Sequence, residues 1–338
     1  MHRTQSLNTI LNPTKPTCNK TVNAKVGRIP WSADGPLASL LQYRRMHRTQ
    51  KTLRALLLFL VTLTPAMSAE FSGQRAFDFT KKAVSFGERP SGSEAIAKTQ
   101  TFILSQLKKL KCQITEDTFI AETPVGKVPM RNIIATFPGS SERMIVVSGH
   151  YDTKQMPGFV GANDGGSSTG FLLELAQALN HAQRKHSIVL VFFDGEEAVK
   201  NWSDTDSLYG SRHLATKWEA DQTLHKINAL INVDMIGDAN LDLLKNPNGS
   251  QTLTRLIWEV ASEKGHQQNF LGDYLAIEDD HIPFYRRGVS AVDLIDFNYG
   301  PFNFYWHTVA DTLDKLSPRS FQVIGDVVLG AILKLERQ

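Results

Sequence analysis

Cysteine is nearly absent: Cys18 and Cys112 are the two among 338 residues. Cys18 falls in a segment read below as a leader, so Cys112 stands alone in the remainder. That excludes an intrachain disulfide framework and a thiolate metal cluster. Carboxylates are scarce at one end. Before Glu70 there is one of the 34 acidic residues against ten of the 37 basic ones. The rest then carries 27 basic and 33 acidic residues, a formal net charge of −6. The basic character of the whole chain therefore belongs to the leader and gives no support to nucleic-acid binding. No apolar run approaches the ~20 residues of a membrane span. From Phe71 to Gln338 no repeat, linker or charge block interrupts the pattern. This argues for one domain, and roughly 270 residues can bury a core without disulfides.

Met1 to Arg45 is polar, holds four prolines and shows no sustained apolar period. Such a stretch is expected to be unstructured or not translated. Met1-His2-Arg3-Thr4-Gln5 recurs letter for letter as Met46-His47-Arg48-Thr49-Gln50, which makes Met46 the better start. After it come Arg48, Lys51 and Arg54, the apolar run Ala55 to Val61, and the small residues Ala66-Met67-Ser68-Ala69. Residues 46–69 thus read as a signal peptide cleaved after Ser68 or Ala69. The domain at 70–338 is expected outside the cytoplasm, secreted or periplasmic, with no membrane part beyond the signal.

What the domain does have is strand-like and helix-like segments in alternation. Ser187-Ile188-Val189-Leu190-Val191-Phe192-Phe193 is an unbroken β-branched and aromatic run, as expected of a strand buried on both faces. Ile227 to Val233 and Ser290 to Ile295 read likewise as strands. Arg131 to Phe137 and Arg143 to Ser148 read as two strands joined by the turn Pro138-Gly139-Ser140-Ser141, an antiparallel pair at one edge. Helices are predicted at Arg75 to Ser85, after Ser93 as N-cap, at Phe171 to Leu179 behind a Gly161 to Gly170 loop, and at Leu208 to Trp218. Others are predicted at Thr252 to Lys264, His281 to Arg287 and Pro318 to Leu335. The pattern predicts a three-layer α/β/α sandwich around a mixed, mostly parallel central sheet.

Open α/β sheets bind ligands beyond the carboxyl ends of their strands. Those ends here carry His150 and Asp152, then Glu196-Glu197, then Asp234. Asp164 lies in the glycine-rich loop and His307 in Trp306-His307-Thr308. Singly, each is more often a cap or turn residue. Together they form a set of nitrogen and oxygen ligands with no sulfur, which suits a catalytic zinc with an open position. Adjacent glutamates at a strand end diverge, so one can ligate while its neighbour serves as a base. Asp152 is read as orienting His150. Trp202 sits in a polar loop, where tryptophan is either a surface anchor or a pocket wall. Arg286-Arg287 reads as a solvated helix end, and Tyr209, Arg212 and His213 as packing residues.

His150-x-Asp152, Asp164, Glu196-Glu197, Asp234 and His307 resemble, in order, the metal-site motifs of zinc aminopeptidases of the bacterial leucyl aminopeptidase type. Three longer stretches are similar to the glutaminyl cyclases (glutaminyl-peptide cyclotransferases) of that superfamily. These are Phe192 to Ala198 with Trp202 behind, Asp206 to Leu214, and Asp279 to Val289 followed by Trp306-His307-Thr308. The resemblance covers residues 71–338. It implies zinc ligands Asp164, Glu197 and His307, a general acid/base in Glu196 with Asp234 and Asp279 beside it, and substrate-pocket walls in Trp202 and Trp306. Two features depart from the animal cyclases. The loop Gly161 to Ser167 is closer to the peptidase version, and a cysteine pair found near His150 there is missing.

The leading expectation is a zinc enzyme that converts the N-terminal glutamine of peptides or proteins to pyroglutamate with release of ammonia. The alternative is a di-zinc aminopeptidase in which His150 and Asp234 complete a second metal position and Glu196 activates water. A non-catalytic binding protein on the same fold has no chemical need for the intact Glu196 and ligand set.

Overall fold

The computed structural model describes residues 70–338. The proposed leader and its cleavage site lie outside the described residues. Two helices open the domain, α1 (Gly73–Val84) and α2 (Glu94–Leu107). Each starts on a serine whose hydroxyl accepts from an amide of the first turn: Ser72 from Arg75 and Ser93 from Ile96, the standard N-cap chemistry. A hairpin of β1 (Gln113–Thr123) and β2 (Gly126–Phe137) follows, then β3 (Met144–His150), α3 (Gly166–Leu179) and β4 (Ser187–Phe193). The second half runs α4 (Tyr209–Ala220), β5 (Ile227–Asp234), β6 (Leu243–Lys245), α5 (Gln251–Glu263), β7 (Phe270–Tyr274), α6 (Ile282–Tyr285), β8 (Ala291–Ile295) and α7 (Pro318–Leu335).

The central sheet has six strands in the order β1-β2-β4-β3-β5-β8. Within it β4, β3, β5 and β8 are parallel, while β2 runs antiparallel to β4 and β1 antiparallel to β2. Alternation along the strands splits the core into two layers. Ile145 and Val147 face one layer with α1, α2, α3, α5 and α7. Val146, Val189, Val191 and Phe193 face the other, with Leu214 and Trp218 of α4 and Phe284 of α6. The expected three-layer sandwich is what forms.

Local expectations differ from it in three places. The strands at 131–137 and 143–148 are not neighbours. Ile133 of β2 pairs with Phe192 of β4, and β3 lies on the far side of β4. The antiparallel edge is instead β1–β2, and β1 had no counterpart in the sequence reading. It is polar, with Asp117 and Ala121 its buried positions, and its strand character comes from backbone pairing along β2. Finally, α3 begins at Gly166 rather than at Phe171. Its first turns are Gly166-Ser167-Ser168-Thr169-Gly170, which composition marks as loop. They are helical because α1 packs directly on them: a Cβ at Gly170 would collide with Thr80 Oγ1 and the Ala76 carbonyl.

Candidate metal centre and active-site pocket

The parallel strands deliver their carboxyl ends to one rim of the sheet. His150 is the last residue of β3 and Asp234 the last of β5, while Glu196 and Glu197 follow β4 after one turn. Asp164 precedes the N-cap of α3, Gly165, whose φ of 75° is the left-handed region glycine tolerates. A side chain there would strike the Asp152 carbonyl. His307 stands in the loop between β8 and α7, itself left-handed at φ 51°.

These residues form two trios that share Asp164: Asp164, Glu197 and His307, and His150, Asp164 and Asp234, each with ligand atoms within 4.8 Å of one another. In the first, His307 Nε2 lies 3.1 Å from Glu197 Oε1 and 3.3 Å from Asp164 Oδ2. In the second, His150 Nε2 lies 3.0 Å from Asp234 Oδ1 and 3.2 Å from Asp164 Oδ1. The chemistry of the donor set fits a divalent ion: Asp164 Oδ2 and Glu197 Oε2 are buried without a well-formed hydrogen bond, held only by longer ion pairs to His307 Nε2 at 3.3 Å and Lys154 Nζ at 3.6 Å. Buried carboxylate oxygens held that loosely are better satisfied by a cation placed between them.

Charge in the centre is strongly coupled. Burial works against ionisation of Asp164, but His150 and His307 outweigh it and hold this carboxyl well below the usual range. Burial lifts Glu197, with Asp164 adding to the effect. Burial also lifts Glu196 well above an ordinary glutamate, reinforced by Glu197, Asp279 and Asp280. Asp234 is pushed up to about 7, chiefly by burial. His307 is raised to about 9: burial pulls it down, but Asp164 and Glu197 more than compensate.

A pocket of about 400 Å³ opens on Asp164, Glu197 and His307, which makes theirs the outer trio and that of His150 the inner one. Asp164, Glu196, Glu197, Asp234, Glu278, Asp279 and His307 line its polar side. Trp202, Ile277, Phe297 and Trp306 form its apolar side. The rings of Phe297 and Trp306 pack 4.8 Å apart and Trp306 stacks on His307 at 4.0 Å. All the residues proposed from sequence for the site are therefore brought together, with His150 behind the pocket wall rather than in it.

Asp152 takes a wider part than orienting His150. Its Oδ1 lies 3.4 Å from His150 Nδ1, and its two oxygens accept the Glu196 and Glu197 amides at 3.1 and 3.3 Å. It thus fixes the turn on which the glutamate pair stands. Sequence reasoning missed Asp311, which accepts the amides of Asn163 and Asp164 at 2.8 and 3.1 Å and the Tyr299 hydroxyl at 2.6 Å. It also missed Phe297 and Ile277 as walls. An aspartate in Val309-Ala310-Asp311-Thr312 carries no signal beyond turn composition. The residues read as structural make ion-pair and packing contacts. Arg286 pairs with Glu278 and Arg287 with Glu219, and the His213 ring stacks on Phe119 at 4.1 Å.

Peptidase family M28 matches residues 132–332. The chain is 35% identical to a glutaminyl-peptide cyclotransferase of Drosophila melanogaster over 238 residues, covering 62% of this chain and 66% of that protein. To the glutaminyl-peptide cyclotransferase of Bos taurus it is 32% identical over 287 residues, covering 73% and 78%. The solved glutaminyl cyclase of an Acidobacteriales bacterium superposes with a TM-score of 0.77 at 40% identity, covering 82% of this chain and 98% of that one. Among the described residues no helix is long and apolar enough to cross a membrane. The chain belongs to peptidase family M28 and, within it, to the glutaminyl-peptide cyclotransferases, a family of enzymes.

Proposed function

We propose that this chain is a secreted, zinc-dependent glutaminyl-peptide cyclotransferase acting on the N-terminal glutamine of peptides or proteins. Asp164, Glu197 and His307 would hold the ion. The observation that carries this reading is the outer trio, which lies open to an aromatic-walled pocket with Glu196 beside it. Zinc at this position would supply Lewis acidity to the γ-carbonyl of the glutamine.

Glu196 is the proton carrier. The substrate's α-amine attacks its own γ-carbon, a C–N bond forms, and the bond to the amide nitrogen breaks with loss of ammonia. Glu196 takes a proton from the amine and returns one to the departing nitrogen. Burial and its acidic neighbours raise its proton affinity well above that of an ordinary glutamate, the direction a carboxyl that must hold and release a proton requires. Asp279, buried beside it, adds to that bias together with Glu197 and Asp280, and Asp234 lines the same pocket. Trp202 and Trp306 enclose the glutamine stem and exclude water. Nucleophile and electrophile belong to one residue, so their proximity is covalent and the enzyme need only set orientation.

A second reading has one observation in its favour. The inner trio of His150, Asp164 and Asp234 offers a second cation position, which a di-zinc aminopeptidase requires. Incubating residues 70–338 with a glutamine-starting and a leucine-starting peptide separates the two. Loss of ammonia from the first, with the second intact, is the expected result. Shortening of either peptide by one residue would replace the cyclase with the peptidase.

A further inference from the structure

Arg89 lies between α1 and α2 in Gly87-Glu88-Arg89-Pro90, a stretch whose composition reads as a solvated turn. Its side chain is nevertheless fully buried. Four side-chain hydrogen bonds leave it, and all end on backbone carbonyls. Nε donates to Tyr151 at 3.4 Å, Nη1 to Gly87 at 3.0 Å and Val160 at 2.7 Å, and Nη2 to Gly161 at 2.9 Å. The Arg89 amide donates to Thr153 Oγ1 at 2.8 Å, and the Thr153 amide returns a bond to the Arg89 carbonyl at 3.2 Å.

Apart from Gly87, the acceptors fall on two segments. Tyr151 and Thr153 lie within three residues after His150, and Val160 and Gly161 within four residues before Asp164. Asp311 holds the amides of Asn163 and Asp164. Two carbonyls of this loop, those of Val160 and Gly161, thus end on a buried guanidinium, and two of its amides, those of Asn163 and Asp164, on a buried carboxylate. Burying a cation is costly, and a rigid planar fork spreads that charge over several fixed acceptors in a way a lysine ammonium does not.

We propose that Arg89 is a positioning residue of the metal centre, whose guanidinium fork fixes the Val160–Asp164 loop against the end of β3 and so sets Asp164 between His150 and His307. The proposal rests on the metal-centre reading above. Arg89→Lys separates the fork from the charge: it keeps the cation, with its repulsion of an incoming ion, and loses the planar donors. Thr153→Val is a milder break in the same contact. Val327→Ala, in the buried face of α7, is a core control remote in function from the loop.

Two quantities are read on each protein: zinc affinity by competition with a chromophoric chelator, and amide exchange at residues 162–164 in metal-free protein. Arg89→Lys should weaken zinc by about 10–100-fold, the size of an outer-shell loss, and speed exchange in the loop. Thr153→Val should shift both in the same direction by less. Val327→Ala should lower the melting temperature and leave both unchanged. Wild-type affinity and wild-type loop exchange in Arg89→Lys overturn the proposal, and if that variant does not fold, Thr153→Val decides by the same criterion. If the unsubstituted protein binds no zinc, the metal-centre reading fails, and loop exchange alone then decides for or against Arg89's hold.

Discussion

His150 and His307 approach the two oxygens of Asp164, at 3.2 and 3.3 Å, on different kinds of backbone. His150 ends a parallel strand, hydrogen-bonded into the sheet, with its side chain 1% exposed. His307 stands on a left-handed loop residue with its side chain 20% exposed, stacked between Trp306 and the edge of Phe159. The strand end supplies a ligand that is rigid and dry, and the loop supplies one that faces substrate. The carboxylates divide the same way. Asp234 receives the Met235 amide and faces His150, whereas Asp164 Oδ2 and Glu197 Oε2 have only longer ion pairs, to His307 at 3.3 Å and Lys154 at 3.6 Å, and no well-formed hydrogen bond. Electrostatic demand for a cation is therefore concentrated on the pocket side. Support is concentrated on the sheet side.

The largest break in that contrast is His307→Ala. It should remove zinc and turnover together, with an affinity loss beyond the about 10–100-fold of an outer-shell change. Elemental analysis that still finds stoichiometric zinc would sink the outer trio as the primary site. Next comes the pair of glutamates. Glu196→Gln should keep zinc and lose on the order of 10²–10⁴ in turnover. Glu197→Gln should lose zinc affinity first and recover part of its activity in excess metal. If Glu196→Gln is the variant that sheds zinc, the two roles are exchanged.

His150→Ala sharpens the comparison from the other side. As a support it should cost about 10–100-fold in turnover, with zinc retained by Asp164, Glu197 and His307. A loss as deep as that of His307→Ala would favour two ions. A smaller effect follows from pH in chelated protein. Burial holds Asp234 and Asp296 up to about 7 and Asp311 up to about 6, against an unfolded value of 3.8. Between those values the native state keeps protons the unfolded chain has released, so stability should fall as pH rises. His307 acts in the same sense. Its stabilisation is complete below 6.5 and is lost as pH rises through about 9. Asp164, with a lowered folded value, loses its contribution only in acid below 3.8. Melting temperatures from about pH 5 to about pH 9 should therefore decline without metal and flatten with zinc, whose ligation favours deprotonated ligands. A chelated protein that gains stability across this range contradicts the charge arrangement described here. The smallest expected effect is from the leader: a chain starting at Glu70 should fold and turn over like the full chain, since Phe71, packed 5.2 Å from Phe171, is retained.

Much of this is legible in the amino-acid sequence. A run such as Ser187 to Phe193 has one economical environment, the interior of a parallel sheet. Serines ahead of apolar periods mark helix starts, as Ser93 does. Chemically demanding residues at several strand ends must meet, because parallel strands share a carboxyl rim. Where reading failed, the information was not local. β1 looks like a loop because an edge strand needs few apolar side chains, and its identity is conferred by the backbone of β2. The start of α3 looks like a loop because it is built of small residues, and the close approach of α1 leaves no room for a side chain at Gly170. Arg89 and Asp311 look like surface residues until Val160, Gly161, Asn163 and Asp164 are folded between them.

Sequence alone determined the alternating architecture, the ligand types and their order along the chain, since periodicity and side-chain chemistry are properties of neighbours in the chain. Tertiary structure alone decided the insertion of β4 between β2 and β3, the sharing of Asp164 between two histidines, and the retreat of His150 behind the pocket wall. Each of these depends on contacts between residues far apart in sequence, such as His150 with Asp234 and Glu197 with His307. No local preference encodes those contacts, because they are settled by packing and by the cost of burying unpaired charge.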